Sequence, residues 1–278
     1  RGRAGIRESA GVVAQAAASA GAGAVNRALF VALFCATAGV LPAQNRNVVC
    51  PGFRPYENVE YDGRYAFVRV EYGRGNGPGG FGRGRMAGGW WHDYPTAECH
   101  FNKLLANLTT IRARQDGSLI LSLDDPELFK YPIVYMSEPG AWFPTESEVT
   151  SFRKYLQKGG FMIFDDFDGY DINNVARQMD RVFPGVRLYR LDEKQFIFDS
   201  FYRVKTLDFH HPMFPSMKSS FYAVYENNDP RGRMLAILNN DNDVGDYWEW
   251  SDTGLYGIDP ANEAYKLGIN YILYAMSR

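Results

Sequence analysis

The stretch from Ile133 to Phe164 limits the possible folds more than any other part of the chain. Ile133-Val134-Tyr135-Met136 is a short apolar run of the kind that is buried on both faces of a parallel sheet. Thr145-Glu146-Ser147-Glu148 has the form of a capping box, in which the Thr oxygen and the Glu side chain satisfy free N–H groups of the first helical turn. Val149, Phe152 and Leu156 then recur at helical spacing until Gly159-Gly160 stops the helix. Phe161-Met162-Ile163-Phe164 is a second apolar strand. Strand, helix and strand this closely spaced predict a βαβ unit with parallel strands and a right-handed crossover.

The remaining segments extend that unit. Tyr65 to Tyr72 alternates and predicts a first strand, and Thr96 is placed to cap a helix to Leu108, with Phe101, Leu104, Leu105 and Leu108 on one face. Short strands are expected near Thr110–Arg114, Leu119–Leu123 and Arg187–Leu191, and a helix over Asn173–Phe183. Met234–Leu238 and Tyr247–Trp250 read as a hairpin around an acidic loop. Asp259-Pro260 opens a last helix with Ala264, Leu267, Tyr271, Ile272 and Ala275 inward. The class is a three-layer αβα sandwich around a mostly parallel sheet.

The N-terminal end reads as a targeting segment. Asn26-Arg27, the 13-residue apolar run Ala28–Val40 and the small residue Ala43 follow the order of a signal peptide over residues 25–43. A bilayer span needs ~20 apolar residues, so no transmembrane segment is expected after cleavage. Residues 1–24 are Ala/Gly-rich and read as an extension upstream of a translation start at Val25. Residues 44–63 form an irregular leader, and 64–278 a single α/β domain. The expected location is the periplasm or cell envelope. Without the four arginines and one glutamate of residues 1–43, the chain has 26 basic and 31 acidic residues, which argues against a nucleic-acid partner. Cys50 and Cys99 remain; an oxidising envelope would let them pair, and buried free thiols fit equally well.

Ligands of open parallel sheets bind beyond the carboxyl ends of the strands. That rule gathers Glu138, Asp165-Asp166 and the segment Trp90-Trp91-His92-Asp93-Tyr94 on one rim. Adjacent carboxylates at a strand end supply a cation site or a general base. Successive strand residues face opposite ways, so Asp165 and Asp166 are not expected to converge on one ligand. The candidates are Glu138, Asp165 and Asp166 for catalysis, and Trp90, Trp91, Tyr94, Asp165, Asp166, His211 and Trp248 for ligand binding. Asp241, Asp243 and Asp246, in the loop Asn239–Asp246, form a possible calcium loop, although any polar turn uses the same residues. The expectation is no obligatory cofactor. Gly75 to Gly80 matches GxGxxG, but some fifteen residues separate it from the next helix, so it is no dinucleotide fingerprint. No HExxH, CxxC or GxSxG occurs, and neither His92 nor His100 has an acidic partner at clean i, i+4 spacing.

FVRVEYG, the Gly-rich loop, WWHDYP, DDPELFKYPIVYMSEPG, LQKGGFMIFDDF, HHPMF, the acidic loop with WEW, and GINYILYAMSR occur in that order over residues 64–278. In this the chain resembles the domain-of-unknown-function family 4159. The resemblance implies a flavodoxin-like fold similar to class I glutamine amidotransferases, and a role in the bacterial envelope. Amidotransferase chemistry does not carry over, because no cysteine stands at a strand-to-helix elbow. The leading expectation is a non-catalytic module that binds an envelope protein, a small ligand or a glycan. The alternative is a carboxylate-dependent hydrolase of envelope glycans.

Overall fold

The computed structural model describes residues 50–73 and 89–278. The readings for residues 1–49, including the signal peptide and the start at Val25, and the GxGxxG match lie outside them. Five strands run parallel: β1 (Val68–Val70), β2 (Leu119–Leu121), β3 (Ile133–Ser137), β4 (Phe161–Phe167) and β7 (Met234–Asn240). Two more, β5 (Tyr189–Arg190) and β6 (Ser220–Tyr225), close one side antiparallel, giving the order β2-β1-β3-β4-β7-β6-β5.

The alternation of side chains along each strand builds two cores. On one face Phe67, Ile133, Tyr135, Ile163, Phe221 and Ile237 pack with α1 (Thr96–Leu108), α4 (Val244–Glu249) and α5 (Ile258–Met276). On the other, Val68, Val134, Met136, Met162, Phe164 and Leu238 meet α2 (Glu146–Gln157) and α3 (Asp171–Val182). The chain is therefore a three-layer αβα sandwich. Each large apolar side chain so buried contributes ~1.5–3 kcal/mol relative to exposure.

The central βαβ unit forms as its sequence dictates. Thr145 Oγ1 accepts from the Glu148 N–H at 3.2 Å, and Glu148 Oε2 accepts from the Thr145 N–H at 2.7 Å. Gly159 takes φ +110° to turn the chain into β4, which pairs in register with β3 from Ile133↔Phe161 to Ser137↔Asp165. The irregular segment 50–63 packs down through buried Phe53 and Val59, and Cys50 is bridged to Cys99 of α1.

Four expectations are corrected. Residues 247–250 are not a strand: Asp243 accepts from the Asp246 N–H at 2.8 Å and starts α4, so the acidic loop leads from β7 into a helix. Thr110–Arg114 makes only an isolated bridge, Tyr65↔Ala113. Leu108 is exposed instead of inward, and Pro95, not Thr96, holds the cap position of α1.

Candidate functional site

Three segments meet beyond the carboxyl ends of β3, β4 and β7. The turn before α1 supplies His92 and Asp93, β4 supplies Asp166, and α4 with its cap supplies Asp243, Asp246 and Glu249. One ligand atom from each of His92, Asp93, Asp166 and Asp243 lies within 4.8 Å of the others, and the same holds for Asp93, Asp246 and Glu249. His92 Nδ1 is 2.7 Å from Asp166 Oδ2, 3.3 Å from Asp93 Oδ1 and 3.9 Å from Asp243 Oδ2.

Backbone geometry brings these groups together. Asp166 has φ +59° within a register shift between Phe164 and Phe167, so the strand alternation is broken where its carboxylate is needed. There it also accepts from the Ser137 hydroxyl at 2.9 Å. Asp93 is likewise left-handed, at φ +63°. Such a conformation in a residue other than glycine persists only where surrounding contacts enforce it.

Arg69 enforces it for the His92 turn. Its guanidinium, fully buried in β1, donates to the carbonyls of Trp90 at 2.9 Å and His92 at 2.7 Å. It also pairs with the equally buried Glu98 of α1 and lies 5.0 Å over the Tyr135 ring. Asp165 does the corresponding work for α4. It accepts from Tyr135 Oη at 2.7 Å, Asn239 Nδ2 at 2.9 Å and the N–H groups of Val244 and Gly245 at 3.0 and 2.9 Å. Gly245 must lack a side chain, because a Cβ there would stand 2.3 Å from Asp93 Oδ2.

The electrostatics are those of too much negative charge in too little water. Burial drives Asp93 and Asp243 well above the usual carboxylate range, and their acidic neighbours add to it. Burial also raises Asp246, and takes Asp165 up to about 6 against the hydrogen bonds it accepts. The charge of Asp93, opposed by burial and helped by Asp166, lifts His92 to about 11. Burial pushes Asp166 upward, but its bond to His92 outweighs that and leaves it below the usual range. Asp93 is 2% exposed, yet neither of its oxygens accepts a hydrogen bond from any described residue. A buried carboxylate without donors costs several kcal/mol unless a cation or a proton compensates it. Three or more carboxylates with one imidazole suit a first-row divalent ion such as Mn²⁺ or Zn²⁺ better than Ca²⁺, whose sites are built of oxygen alone.

The residues singled out from sequence fall into distinct places. Asp166, Asp243 and Asp246 belong to the cluster. Asp165 faces the scaffold, and Glu138 lies outside the cluster with φ +46°. Asp241 is committed elsewhere, accepting from the Gly169 N–H at 2.8 Å and Asn240 Nδ2 at 2.6 Å. Buried His211 accepts from the Met213 N–H at 3.2 Å, and burial lowers its pKa. Trp91 is 47% exposed, Trp90 and Tyr94 are half-buried, and the Tyr94 hydroxyl accepts from the Tyr56 N–H. Trp248 is corrected: at 1% exposure, with Phe101 at 4.5 Å between ring centroids, it is core and not a ligand surface. Asp93, Glu249, Arg69 and Glu98 were not among the candidates. A lone arginine inside the apolar strand Phe67-Val68-Arg69-Val70 was the available signal, since an arginine there requires a buried partner.

A search of curated proteins returned no match. The family model described as "Domain of unknown function (DUF4159)" matches residues 66–276, a span that includes all three segments of the cluster and the scaffold that holds them. The chain belongs to that family.

Proposed function

We propose that this chain is an exported, envelope-associated binding domain whose strand-end cluster holds a divalent cation through His92, Asp93, Asp166 and Asp243. The observation that carries the reading is the buried Asp93 carboxylate, aimed at three further potential ligands and given no hydrogen bond by any described residue. Export is supported by the signal-like segment 25–43 and by the Cys50–Cys99 bridge, since disulfides persist in oxidising compartments. Among the described residues no helix is long and apolar enough to cross a membrane. A partner, whether envelope protein, small ligand or glycan, would approach beside exposed Trp91 and the His92 side chain, which is 29% exposed.

A second reading, a hydrolase of envelope glycans, is favoured by that same partial exposure, because an ion reached by solvent can hold and activate water. It would not use the adjacent carboxylates Asp165 and Asp166 as a pair, because Asp165 is occupied by hydrogen bonds from the scaffold.

Calorimetric titration of chelator-treated protein with Mn²⁺, Zn²⁺, Mg²⁺ and Ca²⁺ tests the proposal. Saturable binding, tightest for Mn²⁺ or Zn²⁺ and lost in Asp166→Asn and His92→Ala, is expected. Absence of binding by all four ions would overturn it.

A further inference from the structure

The ligand groups do not form one ring around one point. His92, Asp93, Asp166 and Asp243 make one set; Asp93, Asp246 and Glu249 make another; Asp93 alone is common to both. Its two oxygens face different ways. Oδ1 lies 3.3 Å from His92 Nδ1, whereas Oδ2 abuts Gly245 of α4, the helix that carries Asp246 and Glu249. Both oxygens are buried and neither receives a hydrogen bond from a described residue.

Charge points the same way. Asp93, Asp166, Asp243, Asp246 and Glu249 are five carboxylates, none more than 8% exposed. One divalent ion would leave most of that charge uncompensated in a low-dielectric site, and buried charge must be paired. Two divalent ions nearly balance it.

We infer that the cluster is a dinuclear cation centre in which Asp93 bridges one ion held by His92, Asp166 and Asp243 and a second held by Asp246 and Glu249. This rests on the proposed cation site and adds its second member. Carboxylate-rich pairs of this kind sit roughly 3.5–4 Å apart and clamp an oxygen-bearing ligand between the ions. The ligand class implied is an oxyanion, such as a phosphate or carboxylate group. Asp165 and Arg69 position the two ligand sets through α4 and the His92 turn without touching either ion.

The test is to load the chelator-treated full chain with Mn²⁺, count ions per chain by equilibrium dialysis, and record the low-temperature electron paramagnetic resonance spectrum. Two ions per chain with an exchange-coupled spectrum are expected. Glu249→Gln should bind one ion and show the uncoupled six-line signal, and Asp93→Asn should abolish coupling. Wild-type protein that binds a single ion, unaffected by Glu249→Gln, would overturn the pair and leave the one-ion site standing. Two ions with uncoupled signals would also overturn it. No bound ion would remove both readings. Because stoichiometry and coupling are read on the wild-type chain, the outcome does not depend on any variant folding.

Discussion

Arg69→Met separates scaffold from site. Arg69 and Glu98 are both fully buried, so removing the guanidinium leaves the Glu98 carboxylate in the core without its counter-charge. Breaking one side of such a pair costs about 3–5 kcal/mol. For a domain of this size that lowers the melting temperature by roughly 6–20 °C. Arg69→Met/Glu98→Met removes the stranded charge, and replacing a whole buried pair with apolar side chains is often close to neutral, so it should regain most of the loss. It cannot regain all, because the Trp90 and His92 carbonyls lose the donor they share, at ~1–3 kcal/mol for each one left buried and unpaired. The double variant should therefore fold but bind cation at least about tenfold more weakly, as when groups that orient metal ligands are lost. Circular-dichroism melts and calorimetric titration give both quantities. A double variant with wild-type stability and wild-type affinity would refute the claim that Arg69 holds the His92 turn.

Gly245→Ala places a methyl 2.3 Å from Asp93 Oδ2 and 2.8 Å from Tyr135 Oη; overpacking of ~1–3 kcal/mol and a sharp loss of cation affinity are expected in the same two assays. In the presence of chelator, stability should fall as pH rises. Asp93, Asp243 and Asp246 have raised folded pKa values, so the folded chain keeps protons that the unfolded chain has released above about pH 4, and their contribution fades through those values. His92, raised to about 11, acts in the same direction: its contribution is complete below its unfolded value of 6.5 and is lost between there and about 11. Melting temperatures measured in chelator from about pH 5 to pH 8 should decline, and a rise would contradict the assignment. Reducing the Cys50–Cys99 bridge, which closes a 49-residue separation, should cost ~4 kcal/mol, read as a lower melting temperature in dithiothreitol that Cys50→Ser/Cys99→Ser reproduces.

The parallel core was legible because its signals are local. The capping box at Thr145, the glycine stop at Gly159 and two apolar strands lie within about thirty residues, and each constrains its neighbour. The strand-end rule placed Asp166 and the His92-Asp93 segment at the same end of the sheet, whereas Asp243 and Asp246 stood out only as an acidic loop. What local pattern could not supply was distance. His92 has no acidic partner at helical spacing because its partner, Asp166, lies 74 positions away. Asn239–Asp246 resembled a turn because the same residues favour turns and helix caps; whether Asp243 begins a helix depends on Asp165 accepting from Val244 and Gly245 across the sheet. Trp248 looked exposed beside charged neighbours, yet α4 turns that ring into the core against Phe101 and Tyr265. The left-handed backbone at Asp93 and Asp166 has no sequence signature, since aspartate visits that conformation only occasionally and its residue type alone does not select it.

The central claim is that His92, Asp93, Asp166 and Asp243 bind a divalent cation. The most direct measurement is anomalous X-ray scattering from crystals of the protein soaked in Mn²⁺. The account predicts a strong anomalous peak within coordination distance of Asp93 and Asp166, lost in crystals of Asp166→Asn. A soaked crystal with no peak among these four side chains, or with manganese bound only elsewhere on the chain, would contradict it.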